Sequence, residues 1–207
     1  MEEHANSQGV TPPDGAAVEA PKPIAKPAPK PAPAKAPAVI QAEEWEGEIP
    51  TSIFSRFGSG ILRAATYRDQ HFFEADRDTV VPLLEILRSD FGYDYLVEET
   101  AVDYPKDEKR FELVYVLYSF ARNHRIRIKT RIAETDEMPS AVPVFATANW
   151  LEREIFDMFG VRFKGHPDLR RILMPDEWQG FPLRKDYGIV QQDDRWVQEN
   201  LGIEKGQ

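Results

Sequence analysis

The sequence predicts an α+β domain in which helices pack on a mixed, mostly antiparallel sheet, and three observations predict it. Between residues 61 and 132, five segments rich in β-branched and aromatic residues are interrupted by one helical pattern. The last of the five alternates isoleucine with basic residues at a period of two. A second helical pattern, carrying an apolar stripe, closes the series at Phe159. The expected element order is α, β, β, α, β, β, β, α, followed by an extended C-terminal arm.

The elements follow in order. Ser52 caps a short helix through Phe57, which Gly58 and Gly60 end, and ILRAATY with HFFEA reads as a strand pair. Asp78 or Thr79 caps the next helix. Pro82 suits its first turn, and Val80, Leu83, Leu84 and Leu87 recur at helical spacing before Phe91-Gly92 stops it. YDYLVEETAV, FELVYVLYSF and HRIRIKTRI read as three strands, the last two joined by a short connection at ARNH. The middle one is apolar on both faces, from Phe111 to Phe120, and is expected inside the sheet with both faces covered. In the last one Ile126, Ile128 and Ile132 face the core, leaving Arg125, Arg127, Lys129 and Arg131 as an outer basic stripe. The stripe fits an exposed edge guarded by charge, or a salt-bridging face for an acidic partner, better than a nucleic-acid surface, since no aromatic residue is interleaved.

Composition sets the boundaries. Pro21–Ala38 consists of proline, alanine and lysine except for Ile24, so residues 1–43 are expected to be a disordered tail that cannot bury enough apolar surface to offset ordering. Residues 44–160 form the core domain and 161–207 the arm. The net charge of -9 argues against general affinity for nucleic acid or anionic membranes. There is no cysteine, so the chain supplies neither disulfides nor thiolate ligands to zinc or iron–sulfur clusters. No apolar run approaches the roughly 18 residues of a membrane span, and none follows a basic amino terminus as in a secretory signal. A non-exported protein in a bacterial cytoplasmic setting is expected.

The richest stretch is LEREIFDMFGVRFKGHPDLRRIL, from Leu151 to Leu173. A helix capped by Ser140 is expected to run to Phe159, with Val144, Ala148, Leu151, Ile155 and Met158 on one stripe and Gly160 as its left-handed stop. Glu152 and Glu154 lie about 200° apart on such a helix and cannot act on one substrate atom. Arg153, Glu154 and Asp157 share a face and are expected as a charge cluster facing solvent. Trp150, Phe156 and Phe159 add more aromatic surface than one stripe needs, which implies a second buried face. His166 has no HExxH or histidine cluster beside it, so a turn or capping role before Pro167 is favoured over metal binding, and Asp168 caps the turn that follows. GxSxG, Walker-type and GxGxxG patterns are absent. The arm from Pro175 to Val190 holds Trp178, Phe181, Leu183 and Tyr187 on irregular backbone, and needs a cover from either a partner's groove or its own domain.

Glu152 to Glu154, Asp157, MFG ending at Gly160, Phe163, GHPDLRRIL and GFPLRKDY together resemble the 30 kDa subunit family of respiratory complex I, the C-type subunits of NADH-quinone oxidoreductase. The likeness extends from about Ile61 through these motifs and departs at Gly188, where many members have proline. It implies a cofactor-free component of the hydrophilic arm, with no catalytic site of its own. Its partners would be the D-type subunit at the quinone site and the B-type subunit that carries a cluster, with FMN and iron–sulfur clusters held in partner subunits and a peripheral seat on the cytoplasmic side of the bacterial inner membrane. Interface roles are expected for Glu152, Arg153, Glu154, Asp157, His166, Asp168, Arg170 and Arg171, and anchoring of the arm for Arg184, Lys185, Asp186 and Tyr187. Alternatives are the equivalent subunit of a related membrane-bound hydrogenase or other quinone-linked dehydrogenase, a nucleic-acid module using the basic stripe, and a metal-free hydrolase using Glu154 and His166.

Overall fold

β-Branched and aromatic side chains favour extended backbone in the five expected segments, and each forms a strand in the computed structural model, which describes residues 41–188 and 194–202. Residues 1–40 of the expected tail lie outside the described residues. Its end does not: Glu43–Glu44 forms a short strand, β1, antiparallel to the strand at Ile61–Tyr67.

Helix α1 is Glu48–Phe57, beginning four residues before Ser52 because Gly47 takes a φ of 141° and its carbonyl accepts from the Thr51 amide and hydroxyl. Strands β2 (Ile61–Tyr67) and β3 (Gln70–Ala75) form a hairpin whose turn residues, Arg68 and Asp69, both have positive φ. Helix α2 (Val80–Ser89) then crosses to the far edge, burying Val80, Leu83, Leu84 and Leu87 as their spacing predicts. The chain returns through β4 (Tyr95–Asp103), β5 (Phe111–Ser119) and β6 (His124–Ile132) as antiparallel neighbours. Strand β6 finally pairs in parallel with β3, giving the order β1-β2-β3-β6-β5-β4.

That parallel pair makes the sheet mixed and places β6 inside it. The basic stripe is therefore no edge guard. Helices α1, α2 and α3 (Ala148–Phe159) bury their apolar stripes in one core with Phe73, Leu113, Tyr115, Leu117, Ile126 and Ile128 from a single sheet face. The opposite face stays open among the described residues, which corrects the expectation for β5: Val114, Val116 and Tyr118 are half-buried, and Phe120, just past the strand, is 68 % exposed.

Three further features escaped the sequence. Strands β7 (Glu137–Pro139) and β8 (Arg162–Lys164) pair in parallel as a separate two-stranded sheet, so the short extended piece after Gly160 has a partner. Helix α3 does not reach back to Ser140: residues 141–147 form turns closed by Val144 and Phe145 amides on the Ala141 carbonyl, and Pro143 biases Val142 away from helix. Beyond the arm, Asp194–Leu201 forms α4, whose Trp196 ring meets Trp178 edge-on at 5.6 Å, so the segment after residue 160 is not extended throughout.

Candidate functional site

Helix α3 carries charge on its buried side, which an isolated amphipathic helix cannot do unless other segments bring counter-groups. Glu152 is wholly buried. Its two oxygens accept from the Ser140 hydroxyl at 2.7 Å and the Ala141 amide at 2.6 Å, so the residue expected to cap the helix instead holds its interior carboxylate. Asp157, also wholly buried, accepts the amides of Ile172, Leu173 and Met174 at 2.7–3.0 Å on one oxygen, and the Arg171 guanidinium on the other. Arg153 reaches the other way, donating to the carbonyls of Arg170 and Arg171 at 3.1 and 3.0 Å. The solvent-facing cluster of Arg153, Glu154 and Asp157 is thus corrected: Glu154 alone faces out, and the other two grip backbone that has no secondary structure to satisfy it.

Arginines continue the latch along the arm. Arg171 also donates to the carbonyls of Trp178 and Gly180, both at 3.1 Å. Arg184 donates to the Phe159 carbonyl at 2.6 Å, pairs with Glu134 and stacks over Phe111 and Phe181, while the Leu183 amide bonds the Met158 carbonyl. The Lys185 amide bonds Asp103, and Asp186 pairs with Arg110 at 2.8 Å. Arg110 is also bidentate on Asp103 and bridges to Glu134, so one ion-pair network ties β4, the β6–β7 connection and the arm together. Tyr187 packs on Gly180, where a φ of 85° and a ring 2.7 Å from any added Cβ leave room only for glycine. Of the two covers considered for the arm, its own domain supplies one through Gly188.

His166 sits in a turn. Its Nε2 donates to the Asn149 carbonyl at 3.0 Å while Nδ1 accepts the Asp168 amide, a pairing that fixes the orientation of the ring. Asp168 and Arg170 pair with each other in the open. Among the described residues no group of three or more histidine, cysteine, aspartate or glutamate side chains could hold a metal ion. A recess of about 340 Å³ lined by Trp45, His71, Tyr93, Arg122 and His124 brings two imidazoles together, both lowered from their ordinary value by burial. Each Nδ1 is already engaged, with Thr66 and Tyr93 respectively.

Two carboxyls in the core have unusual proton affinity. Glu99, on β4, is buried with the Tyr115 hydroxyl as its near polar neighbour and no strong hydrogen bond to either oxygen. Burial first, then repulsion from Glu152, pushes the Glu99 carboxyl well up, and burial lifts Glu152 to about 7. Burial pushes Asp157 up too, but the three amides and Arg171 outweigh it and hold that carboxyl below its ordinary value. The Asp103, Arg110 and Glu134 network and the Glu99–Glu152 pair gave no motif signal. What signal there was lay in the arm itself, whose Trp178, Phe181, Leu183 and Tyr187 are too apolar for a free tail.

An α+β domain with such a latched arm has its likeness among components of respiratory membrane complexes. A chain of the archaeal membrane-bound sulfane sulfur reductase, a respiratory membrane complex, superposes with a TM-score of 0.62 at 25 % identity, covering 76 % of this chain and 91 % of that one. The family model for the respiratory-chain NADH dehydrogenase 30 Kd subunit matches residues 73–193, and the chain belongs to that family. Similar relatives include the C-type NADH-quinone oxidoreductase subunit of Citrifermentans bemidjiense, 42 % identical over 135 residues, or 65 % of this chain and 84 % of the relative. That of Trichlorobacter lovleyi is 46 % identical over 65 % of this chain and 84 % of the relative, and that of Hyphomonas neptunium 49 % identical over 56 % and 58 %.

Two outcomes follow from the buried acids. Because the folded state holds protons on Glu99 and Glu152 more tightly than the unfolded chain, their contribution to stability should fall as pH rises from the ordinary carboxyl value of 4.5 through about 7, opposed up to 6.5 by the lowered imidazoles of His71 and His124. Glu99→Gln should flatten that fall by about 1–3 kcal/mol in urea unfolding at pH 6 compared with pH 8, and parallel pH profiles for variant and parent would show that Glu99 is ionised throughout. Asp157→Asn keeps the shape but cannot accept three amides and an arginine. It should cost about 2–4 kcal/mol and open the arm near Arg171 to limited proteolysis, whereas Glu154→Gln should do neither.

Proposed function

We propose that this chain is a cofactor-free structural subunit of the hydrophilic arm of a proton-translocating NADH:quinone oxidoreductase. In this reading it fixes the relative positions of the D-type subunit at the quinone site and the B-type iron–sulfur subunit, while FMN and clusters in partner subunits carry electrons from NADH to quinone. It has no catalytic site of its own. It sits peripherally on the cytoplasmic side of the inner membrane, consistent with the fact that no described helix is long and apolar enough to cross one.

The observation that carries the proposal is the surface left outside the latch. Trp150, Leu173 and Leu183 are 62 %, 60 % and 50 % exposed, and they lie along α3 at its first turn, beside Asp157 and beside Met158. Large apolar groups set in a polar rim are what a protein interface buries. Here the rim is Glu154, Asp168, Arg170 and Lys185, which we assign to direct contact together with the turn at His166. Glu152, Arg153, Asp157, Arg171, Arg184, Asp186 and Tyr187 act one layer deeper, by giving the arm the shape its neighbours meet.

The archaeal reductase likeness supports one further reading, the equivalent subunit of a related membrane-bound hydrogenase or other quinone-linked dehydrogenase. Electron donors separate the two. Purified in gentle detergent through a tag on this chain, the complex should contain flavin- and cluster-bearing subunits and reduce quinone with NADH; use of hydrogen or another donor instead of NADH selects the second reading. Trp150→Asp with Leu173→Asp should leave the isolated chain folded and lower recovery of the complex roughly tenfold. Unchanged recovery would remove this surface from the interface.

A further inference from the structure

We propose that the open face of the sheet is a second docking surface, which takes a neighbouring subunit presenting carboxylates on an apolar background; this rests on the place in a multi-subunit complex proposed above. The core side of the sheet is fully used by α1, α2 and α3. The other side is not, and its chemistry is particular.

Cross-strand pairing sets Tyr118 opposite Arg125, Val116 opposite Arg127 and Val114 opposite Lys129. In the middle of the sheet, then, a row of cations runs beside a row of apolar groups. The cations differ in their partners. Lys129 and Arg131 pair with Glu112 at 3.3 and 3.2 Å, and Arg131 also with Asp107. Arg125 and Arg127, by contrast, have no acid partner among the described residues. On a chain of net charge -9, two unneutralised arginines held in fixed register on a rigid internal strand are a site for carboxylates.

Beyond Arg125 the face ends in an aromatic cluster. The Phe120 ring lies 4.9 Å from Tyr118 and 5.7 Å from Tyr95, yet Phe120 and Tyr95 remain 68 % and 46 % exposed. Beyond Lys129, toward the other end, a recess of about 400 Å³ opens, its cations Lys109, Lys129 and Arg131 balanced by Glu74, Asp76 and Glu112, with room for a protruding side chain. Arginine next to exposed aromatic surface is the composition of a protein interface, and the interleaved valines give it area. A second copy of this chain would bring the same two unneutralised arginines to the contact, so a partner rich in carboxylates complements the face better.

Carrying p-benzoylphenylalanine in place of Tyr118, the full chain should cross-link, within the intact purified complex, to one other subunit at a segment containing aspartate or glutamate. Arg125→Glu with Arg127→Glu should reduce that cross-link roughly tenfold, and lysines in place of the linked acids should restore it. Neither arginine has an internal acid partner among the described residues, so the double variant alone should melt within about 2 °C of the parent. A cross-link to another copy of this chain, to lipid or to nucleic acid overturns the proposal, as does one that charge reversal does not weaken. A complete complex in which Tyr118 links to nothing overturns the docking face alone, whereas a chain that purifies without companions overturns the proposed function and this inference with it.

Discussion

One carboxylate organises the C-terminal half of this molecule. Asp157 lies on the buried side of α3, where an acid is costly, and it is tolerated because three consecutive amides and a guanidinium converge on it. The same contacts solve the arm's own problem. Backbone without helix or ladder carries donors and acceptors that must find partners, and here side chains provide them: Asp157 takes amides, while Arg153 and Arg171 take carbonyls. Each side satisfies the other's need, so the irregular path is as determined as a strand would be.

This arrangement explains why a segment dense in proline and glycine still carries tryptophan, phenylalanine and leucine. Phe181 is held between the guanidiniums of Arg171 and Arg184, which are themselves tied to backbone. Leu173 and Leu183 flank these anchors and stay outside. A fixed internal scaffold therefore displays apolar groups that a flexible tail could present only at a cost in entropy.

The sequence revealed the elements far better than their neighbours. Strand and helix limits follow from local composition and spacing, which is why β2, β5, β6 and α2 fall where their residues place them. Strand order depends on pairing between distant segments, so nothing local marked β6 as the partner of β3, and its lysine and arginines passed for an edge. Glu99 shows the same limit on a smaller scale. Strict alternation from Leu96 would turn Glu98 inward, but an irregularity between Leu96 and Glu98 advances the register by one, and Glu99 goes to the core. Helical spacing put Asp157 beside Arg153 and Glu154, whereas its real counter-charge lies fourteen residues on, in a segment without periodicity. The chemistry of the candidate site was legible as residue types; the side each one faces was not.

The order in which the chain is synthesised gives the latch a further consequence. Helix α3 leaves the ribosome before Arg171 and the amides of residues 172–174. For that interval Asp157 has no counter-group, and α3 has every reason to remain loosely seated. Arrival of the arm removes the uncompensated charge and commits the helix in one step. A chain cut near residue 170 would thus keep the acid and lose every group that compensates it, leaving the aromatic helix loosely held.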